Sequence, residues 1–404
     1  MKRLVMKFGG TSVATLEKMK QVCQLILRKK EQYDDLVVVV SAMGKTTDNL
    51  LKQAYQVSER PVAREVDVLL SSGELISASL LALHLNHLGQ TAESFTGFQA
   101  GFRTRGSHRK SKIEDLDPSQ IEAALNRGEI AVVAGFQGMN KEGEITTLGR
   151  GGSDTSAVAL AAKLGAQCEI YTDVDGIYSA DPRIRPQAKK ISRINYEELV
   201  EMAHQGARVI EARSVELAAK YQVPLYIALN TGDIEGTYVS SFFDNTVKKK
   251  DVNMENFKLT NVSAIENILL VSIQGVPNLS FESSKCFTEL AAAGVNVDIL
   301  NQVIVDQDNS AFSFTSDMES KADIIEVLDR MKIKYRFVEN LNKVSIIGSA
   351  MRNQVGVAAK AFNVFIEQNV PFYMVSTSDI SISYVVKAED RDKIINALAD
   401  VFGL

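Results

Sequence analysis

Short apolar runs alternate with longer stretches of helical periodicity up to about residue 240. The apolar runs are often continuous and β-branched, which favours strands of a sheet covered on both faces. They are Leu4–Phe8, Leu36–Val40, Ile130–Ala134, Glu169–Thr172 and Val223–Ala228. The stretches between them predict helices over Thr15–Lys30, Glu65–Leu88, Pro118–Asn126, Ser156–Leu164 and Tyr196–Ala203. This alternation predicts an α/β domain with a mainly parallel sheet, which binds ligands at the carboxyl ends of its strands.

The C-terminal part of the chain contains an internal repeat. Residues 267–297 align with residues 342–372, and each copy continues into two strands and a helix, so that the repeating unit is βαββα. The first copy gains a closing strand at Tyr335–Val338, whereas the second ends at its helix. An open sheet edge would expose unpaired backbone groups. We therefore expect the preceding strand, Lys258–Ala264, to complete the second module, so that the two modules are interleaved.

A polar segment separates the two patterns. Phe243–Glu255 is highly charged, as in a linker, although a charge run is also typical of a solvated face. We therefore expect an α/β domain at residues 1–245, a linker at 246–256 and the repeated α+β modules at 257–404. The first module covers about 267–340, and the second covers about 341–404 together with strand 257–265.

Composition excludes several classes of protein. A chain of 404 residues with 45% hydrophobic and 24% charged residues is typical of a soluble protein with more than one core. Its net charge of −5 argues against broad binding of nucleic acid or anionic membranes. The cysteines (Cys23, Cys168 and Cys286) are scattered and signal neither disulfides nor a zinc site. Without a signal peptide or an apolar run of about 18 residues, we expect a cytoplasmic protein.

The segment Thr146–Ser156 (TTLGRGGSDTS) is the strongest chemical signal. Its glycines allow backbone amides to approach an anion, and the following helix start favours negative charge. Arg150 offers a planar fork that matches a carboxylate or phosphate. These groups suit a small acidic substrate beside a phosphoryl group. The alternative is an ordinary glycine-rich turn with a serine or aspartate cap.

Three further segments carry candidate chemistry. Two of them follow predicted strands, and the third lies in a predicted helix. Lys7–Ser12 places a lysine beside two glycines, suited to phosphate oxygens, although it is not a Walker A loop. Val39–Asp48 is rich in hydroxyl groups that suit an amino or carboxylate group, or a simple helix cap. Glu74 lies among apolar and small residues, where a buried carboxylate needs a cation, unless it is on the helix surface.

The segment Thr172–Arg183 (TDVDGIYSADPR) adds three acidic residues, a tyrosine and an arginine after another strand. Its DxDG stretch lacks the remaining ligand spacing of a calcium loop. The histidines, including His84 and His87, form no catalytic or metal-binding pattern. Together the turns suit phosphoryl transfer, in which positioning and charge stabilisation replace a protein nucleophile.

In this order the motifs closely resemble those of the aspartate kinase (aspartokinase) family of the amino-acid-kinase fold. The matching N-terminal segments are KFGGTSV (7–13), VVVSAMGKTTDNL (38–50), SGE (72–74), AGFQG (134–138), TTLGRGGSDTSAVALAA (146–162) and YTDVDGIYSADPR (171–183). The C-terminal half resembles tandem ACT regulatory modules through VNVDILNQ (295–302), KVSIIGSAM (343–351) and MVSTSDISIS (374–383).

The resemblance implies ATP-dependent phosphorylation of the β-carboxylate of L-aspartate to 4-phospho-L-aspartate, the first step towards lysine, threonine, methionine and diaminopimelate. It implies Lys7 and Asp154 as catalytic residues, with Mg²⁺ carried mainly by ATP and no metal held by the protein. The residues implied to bind aspartate are Ser41, Thr47, Glu74, Arg150, Gly151, Gly152, Ser153 and Asp154. Those implied to bind the nucleotide are Lys7, Phe8, Gly9, Gly10, Thr172, Asp173, Tyr178, Asp181, Arg183 and Arg208.

Two regions depart from the family pattern. The family often has GA[KR]VLHPRA where Gly206–Arg213 reads GARVIEAR, so that Glu211 and Ala212 replace a His-Pro pair; we expect activity to survive. In the regulatory half, Pro277–Phe281 replaces a loop that usually resembles PDxPG, and Pro371 replaces an asparagine and removes an N–H donor. The expected effector residues are Asn296, Val297, Asp298 and Gln302.

By resemblance, lysine or threonine is the expected effector, and the ACT modules are expected to form a homodimer or a larger homo-oligomer. Two alternatives stay open. One is another enzyme of the same fold, an acetylglutamate or glutamate kinase. The other is a catalytically silent amino-acid-sensing subunit.

Overall fold

The computed structural model describes residues 2–207, 209–241, 259–277, 281–304, 309–352 and 356–404. The chain divides into two compact units. The first contains residues 1–178, 190–204 and 208–252, and the second contains 179–189, 205–207 and 253–404. The expected linker at 246–256 lies outside the described residues.

The first unit alternates strands and helices along the chain. Its helices are α1 (Leu16–Lys30), α2 (Thr46–Val57), α3 (Ala63–His87), α4 (Ser119–Asn126), α5 (Gly152–Leu164), α6 (Tyr196–His204) and α7 (Ala212–Tyr221). Its strands are β1 (Arg3–Phe8), β2 (Asp35–Val40), β3 (Ala92–Phe95), β4 (Phe102–Arg105), β5 (Lys112–Leu116), β6 (Ile130–Ala134), β7 (Gln137–Met139), β8 (Ile145–Thr147), β9 (Gln167–Thr172), β10 (Ile177–Tyr178), β11 (Lys190–Ile191), β12 (Arg193–Ile194), β13 (Leu225–Leu229) and β14 (Thr237–Val239).

The main sheet of this unit has the strand order β12-β14-β13-β9-β1-β2-β6-β3. It is parallel from β3 to β13. Strand β2 (DLVVVV) is buried along its whole length, because helices cover both faces of the sheet. The predicted fold class, an α/β domain with a mainly parallel sheet, is confirmed.

Helix α3 passes through the core of the first unit. It is long and apolar enough to cross a membrane by length and composition alone, but more than half of its most apolar stretch is buried within the protein. Its buried face also carries carboxylates at Asp67 and Glu74. These features indicate a core helix.

Helix α5 begins at Gly152, four residues before the predicted start at Ser156. Gly151 precedes it with φ of +62°, a conformation that glycine adopts without strain, and the glycines and serines of the first turn concealed the helix from propensity reasoning. Helix α2 was expected only as a helix start near the end of Val39–Asp48, and helix α7 had no counterpart in the sequence analysis. The same is true of the small sheet with strand order β5-β4-β7-β8.

The second unit contains one six-stranded sheet in the order β16-β17-β15-β18-β20-β19. Its strands are β15 (Asn261–Pro277), β16 (Leu300–Ile304), β17 (Asn309–Asp317), β18 (Tyr335–Ile347), β19 (Met374–Thr377) and β20 (Ser381–Lys387). Its helices are α8 (Phe281–Ala292), α9 (Lys321–Arg330), α10 (Val357–Glu367) and α11 (Arg391–Phe402).

Strands β15 and β18 are shared by the two repeats. Residues 261–265 of β15 pair with residues 343–347 of β18, and the later part of β15 pairs with both β17 and the start of β18. The strand that we expected to precede the first module is therefore continuous with the module's own first strand. Separate apolar clusters lie around Phe314 and around Tyr384.

The segment Ser179–Lys189 is packed into the second unit. Ala180 is buried in the apolar cluster around Tyr384. The buried guanidinium of Arg185 donates to the Leu404 carbonyl at 3.1 Å and lies 2.8 Å from an Asp400 carboxylate oxygen. This segment leaves the first unit after β10 and returns to it at β11.

Candidate active site

The carboxyl ends of β1, β2 and β6 meet at one edge of the main sheet. The Ser41 amide donates to the Phe8 carbonyl at 3.1 Å, and the Gly135 amide donates to the Val40 carbonyl at 3.1 Å. Because parallel strands direct the loops after them to the same edge, the predicted motifs are brought together here.

Lys7 and Asp154 form a buried ion pair at this edge. Lys7 Nζ lies 2.5 Å from Asp154 Oδ1, and each residue is only 8% exposed. Lys7 is the last residue but one of strand β1, and Asp154 is in the first turn of α5. A Cβ atom on Gly9 would lie 3.6 Å from the Lys7 ammonium, so glycine leaves this side of Lys7 open. The site therefore places the positive charge of Lys7 beside the N-terminus of α5. Both features favour the binding of an anion.

Glu74 is the least solvated acid of the site, at 3% exposure. Its Oε1 accepts the Ala42 amide at 3.1 Å, and its Oε2 has no hydrogen-bond partner among the described residues. Burial raises the pKa of the Glu74 carboxyl to about 7, against the smaller lowering effect of the Ala42 amide. A ligand ammonium group would supply the missing partner for this carboxylate.

Close backbone contacts fix the loops around Glu74. A Cβ atom on Gly10 would lie 2.7 Å from the Ala42 carbonyl oxygen, and one on Gly73 would lie 2.8 Å from the Ala42 Cβ. The loop after β1 therefore packs against the loop after β2, and the loop after β2 packs against α3, at distances that only glycine allows. Ser41 Oγ donates to Ser153 Oγ at 3.0 Å, which joins the loop after β2 to α5.

Arg150 lies on an exposed turn between two glycines with positive φ. Gly149 has φ of +79° and Gly151 has φ of +62°, and the Gly152 amide closes the turn by donating to the Gly149 carbonyl at 3.1 Å. The Arg150 side chain has no ion-pair partner within the described ranges of the chain, so its guanidinium is available for an external anion. Thr47 is half-buried in the first turn of α2, where no side chain caps the helix.

The segment that departs from the family pattern contacts this same turn. A Cβ atom on Gly151 would lie 1.9 Å from Glu211 Cγ, so the Glu211 side chain packs directly against the glycine. Arg213 Nη1 donates to the Leu148 carbonyl at 3.0 Å. The sequence analysis missed both contacts. The replacement of the family's His-Pro pair by Glu211 and Ala212 was the sequence signal that could have identified Glu211. No feature of the neighbouring sequence pointed to Arg213.

Apart from residues 7–10 and Arg208, the residues expected to bind the nucleotide lie in β9, the turn after it, β10 and the segment after β10. Thr172 Oγ1 donates to Asp173 at 3.1 Å. The Tyr178 hydroxyl donates to Asp175 at 2.9 Å, and Lys190 Nζ lies 2.8 Å from the same carboxylate. Neither Asp175 nor Lys190 was predicted as a site residue.

Asp181 and Arg183 form an ion pair at 2.6 Å on the segment Ser179–Lys189, which belongs to the second unit. The Arg183 side chain is 85% exposed. Arg208 lies outside the described residues. Over the described part of the chain, no group of three or more His, Cys, Asp or Glu side chains is placed to hold a metal ion.

Comparisons with known proteins match both halves of the chain. The family model described as the amino acid kinase family matches residues 2–229, and an ACT-domain model matches residues 344–402. The chain is 42% identical to the aspartokinase of Mycolicibacterium smegmatis over 410 residues, covering 99% of this chain and 96% of that protein. The chain belongs to the aspartokinase family.

Solved structures of aspartokinases have the same fold. E. coli aspartokinase III in complex with aspartate and ADP (R-state) gives a TM-score of 0.82 at 24% identity, covering all of both chains. The same enzyme in complex with lysine and aspartate (T-state) gives a TM-score of 0.74 at 24% identity, covering 99% of both chains. These structures agree in fold, and the 42% identity to the Mycolicibacterium smegmatis protein together with the family model confirms the aspartokinase resemblance drawn from the motifs.

The predicted effector residues lie in the second unit and have partners there. Asp298 forms an ion pair with Lys343, which is only 2% exposed. Gln302 Nε2 donates to Ser310 Oγ at 3.1 Å. The Asn296 carbonyl accepts the Ser316 hydroxyl at 2.7 Å.

Val297, Pro371 and the loop at Pro277–Phe281 were the other parts of the regulatory prediction. Val297 is half-buried against the apolar cluster around Phe314. Pro371 lies in the connection before β19, which begins at Met374. Residues 278–280 of the loop after β15 lie outside the described part.

Proposed function

We propose a division of labour among the site residues for the ATP-dependent phosphorylation of L-aspartate on its β-carboxylate. The activity itself, aspartate phosphorylation by a kinase with ACT modules, is that of the aspartokinase family. The observation that carries the proposal is the convergence of Lys7, Asp154, Glu74 and the open Arg150 turn at the carboxyl edge of one sheet.

Lys7 is the residue that neutralises the transferring phosphoryl group. Its ammonium is held beside Gly9 by Asp154, in a nearly water-free site, where a fixed charge is worth more than in water. Gly10, with Phe8 and Gly9 before it, completes the phosphate cradle through its backbone amide, since the Gly9 amide already donates to the Tyr171 carbonyl at 3.3 Å. Asp154 sets the position of Lys7 and limits its motion.

Arg150 and Glu74 bind the two ends of the amino-acid group of aspartate. The free Arg150 fork matches the α-carboxylate in two parallel hydrogen bonds. Glu74, with its unpartnered Oε2, accepts the α-ammonium group. The remaining polar groups that surround the substrate are Ser41, Thr47, Gly151, Gly152, Ser153 and Asp154.

The nucleotide is assigned to Thr172, Asp173, Tyr178, Asp181, Arg183 and Arg208. Mg²⁺ accompanies ATP and is held mainly by phosphate oxygens and water. The carboxylate and hydroxyl groups assigned here are oxygen donors, the type of ligand that Mg²⁺ takes. When bound, Mg²⁺ neutralises charge that develops on the phosphates.

The oligomeric state, the cellular location and the effector are further parts of the proposal. We infer a homodimer or larger homo-oligomer formed through the ACT modules, since β16 lies at one edge of their sheet and exposes Leu300 and Val303. We infer a cytoplasmic enzyme, and we infer lysine or threonine as a weak effector.

The test of function is trapping of the acyl phosphate with hydroxylamine, using ATP, Mg²⁺ and L-aspartate. We expect the aspartate β-hydroxamate, together with an equal amount of ADP. The matched substrates are N-acetyl-L-glutamate and L-glutamate, which test the two related kinases. Hydroxamate formed only from a glutamate derivative would replace the proposed substrate. Single-turnover reactions without any hydroxamate would make the chain a silent sensor.

A further inference from the structure

A second buried carboxylate lies on the same face of α3 as Glu74. Asp67 precedes Glu74 by seven residues, about two helical turns, so that the two side chains point to the same side. Asp67 is completely buried, at 0% exposure. Nothing in the proposed chemistry uses it, although burial of a carboxylate is costly unless it is fully hydrogen-bonded.

Donors from two distant segments converge on Asp67. The Thr147 amide donates to Oδ2 at 3.0 Å and its hydroxyl to Oδ1 at 2.6 Å. The Arg109 amide donates to both oxygens, at 3.1 and 3.0 Å. His108 Nδ1 lies 2.9 Å from Oδ2, and its other ring nitrogen lies 3.4 Å from Glu144 Oε2. Asp67 therefore ties α3 to the end of β8 and to the turn before β5.

These segments lead directly to the Arg150 turn. Thr147 ends β8, three residues before Arg150. Arg109 has φ of +67°, a strained conformation for a residue with a side chain, and the hydrogen bonds from its amide to Asp67 stabilise it there. A Cβ atom on Gly149 would lie 3.0 Å from the Arg109 carbonyl oxygen. Arg109 thus forms a backbone support against which Gly149 rests.

We propose that Asp67 is a positioning residue for the substrate site. It fixes the Arg150 turn to the helix that also carries Glu74, so that the two groups for the α-carboxylate and the α-ammonium keep a constant separation. The inference rests on the proposed roles of Arg150 and Glu74. It extends the site to a carboxylate that touches neither substrate nor nucleotide.

A fixed separation matters because aspartate must be gripped at both ends while its β-carboxylate approaches the phosphoryl group. A displacement of about 1 Å at such a site costs about 100-fold in rate. Loosening the turn is therefore expected to weaken aspartate binding and turnover together, without a direct effect on ATP.

The chain offers a matched pair of variants for the test. Thr147→Val removes the hydroxyl that binds Asp67 and keeps the side-chain volume. Thr146→Val is the same substitution one residue earlier, at an equally buried position whose hydroxyl instead lies 2.6 Å from Thr104 Oγ1. We expect Thr147→Val to lower kcat/KM for aspartate by about 10- to 100-fold, the value of one hydrogen bond to a charged group, with KM for ATP unchanged. Thr146→Val should lose stability alone.

Asp67→Asn disrupts the same network more severely than Thr147→Val, since an amide nitrogen would then face N–H donors. We expect a larger loss of kcat/KM for aspartate and faster hydrogen exchange at residues 145–151, and Thr147→Ser should retain the hydroxyl and most of the activity. If Asp67→Asn does not fold, the Thr147 variants decide the question. Equal loss of stability in Thr147→Val and Thr146→Val, with KM for aspartate unchanged in both, would overturn the inference. If Arg150→Lys also left KM for aspartate unchanged, the failure would instead lie in the proposed role of Arg150.

Discussion

Lys7 and Glu74 are both buried in the site, but only the charge of Lys7 is compensated within the protein. Lys7 has a carboxylate at 2.5 Å, whereas Glu74 has only the Ala42 amide and one unpartnered oxygen among the described residues. The first charge is compensated before any ligand binds, and the second becomes compensated when an ammonium group arrives. Each residue therefore has a different experimental signature.

Lys7→Ala is expected to lower kcat far more than it raises KM for aspartate, because its charge is needed most while the phosphoryl group moves. One charged contact in a dry site is worth about 3–4 kcal/mol by analogy with a single oxyanion donor. Steady-state kinetics with both substrates measure the effect, and circular dichroism controls for folding, since Asp154 loses its partner. An unchanged kcat in the folded variant would remove Lys7 from the mechanism.

Glu74→Gln is expected to change the pH dependence of aspartate use. Below about pH 7 the wild-type Glu74 carboxyl becomes protonated and no longer attracts the substrate ammonium. We therefore expect kcat/KM for aspartate to fall as the pH drops below 7 in the wild type. In Glu74→Gln it should be low at every pH, without this decline. Profiles of kcat/KM between pH 6 and 9 test the prediction.

The same substitution has a predicted effect on stability. The folded pKa of Glu74 is raised from its ordinary value of 4.5 to about 7, so the folded state binds more protons and this group costs stability as the pH rises through that window. At pH 8 without ligand, Glu74→Gln should raise the free energy of unfolding by up to about 3 kcal/mol. Equal stabilities of the two proteins at pH 8 would contradict a buried, strained carboxylate.

Arg150→Lys is expected to raise KM for aspartate strongly, because a point charge does not reproduce two parallel hydrogen bonds to a carboxylate. The exposed Arg150 side chain has no ion-pair partner among the described residues, so the variant should fold normally. KM for ATP serves as the internal control. A rise confined to KM for ATP would assign Arg150 to the nucleotide.

Among the elements, those with continuous apolar runs were the most predictable from the sequence. Strands β1 and β2 were predicted to within one residue, because buried parallel strands need apolar residues on both faces. The start of α5 was not, since Gly152 and Ser153 have low helix propensity and tertiary contacts hold them there. The Asp67 network joins residues 41 to 80 positions apart, a separation at which no local pattern exists.

Two glycines at opposite ends of α5 give a paired prediction. Gly151 and Gly165 both have φ of +62°, but an added Cβ at Gly151 would collide with Glu211 and at Gly165 would meet nothing within 4 Å. Gly165→Ala should lose only about 1–2 kcal/mol of stability from the left-handed conformation, with normal kinetics. Gly151→Ala should in addition raise KM for aspartate, because the Arg150 turn must move.

The double variant Gly151→Ala, Glu211→Ala is the decisive control for that pair. It removes the collision and keeps the backbone strain, so it should recover much of the aspartate affinity. No recovery would mean that strain, and not contact with Glu211, displaces the turn.

At the scale of the whole molecule, the chain crosses between its two units several times. Residues 179–189, which carry Asp181 and Arg183, belong to the second unit, although along the chain they lie between β10 and β11 of the first. The repeat in the sequence predicted two similar modules, and the requirement that no edge be left open predicted their interleaving. The sequence pattern could not predict that residues 179–189 belong to the second unit, because the contacts of Arg185 with Asn396, Asp400 and Leu404 bridge more than 200 residues.

Regulation of the whole chain is expected to be weak. Asp298 is already paired with the buried Lys343, Gln302 is bonded to Ser310, and Pro371 has no N–H group to donate. An incoming lysine or threonine must therefore compete with an internal ammonium group for Asp298. Each hydrogen bond to a charged ligand that is not formed costs about 1.5–3 kcal/mol, so that two losses shift a micromolar site towards millimolar.

Calorimetry of the full chain with lysine, threonine and both together tests this expectation, and we predict no binding in the micromolar range. Lys343→Met is the informative variant, because it frees the 40%-exposed Asp298 side chain and leaves an apolar group of similar length in the sheet. If the internal lysine is what blocks the site, this variant should bind free lysine at least about tenfold more tightly, a gain of about 1.4 kcal/mol. Stoichiometric micromolar binding to the unmodified protein would show that an effector displaces Lys343 from Asp298, and feedback control would then be strong.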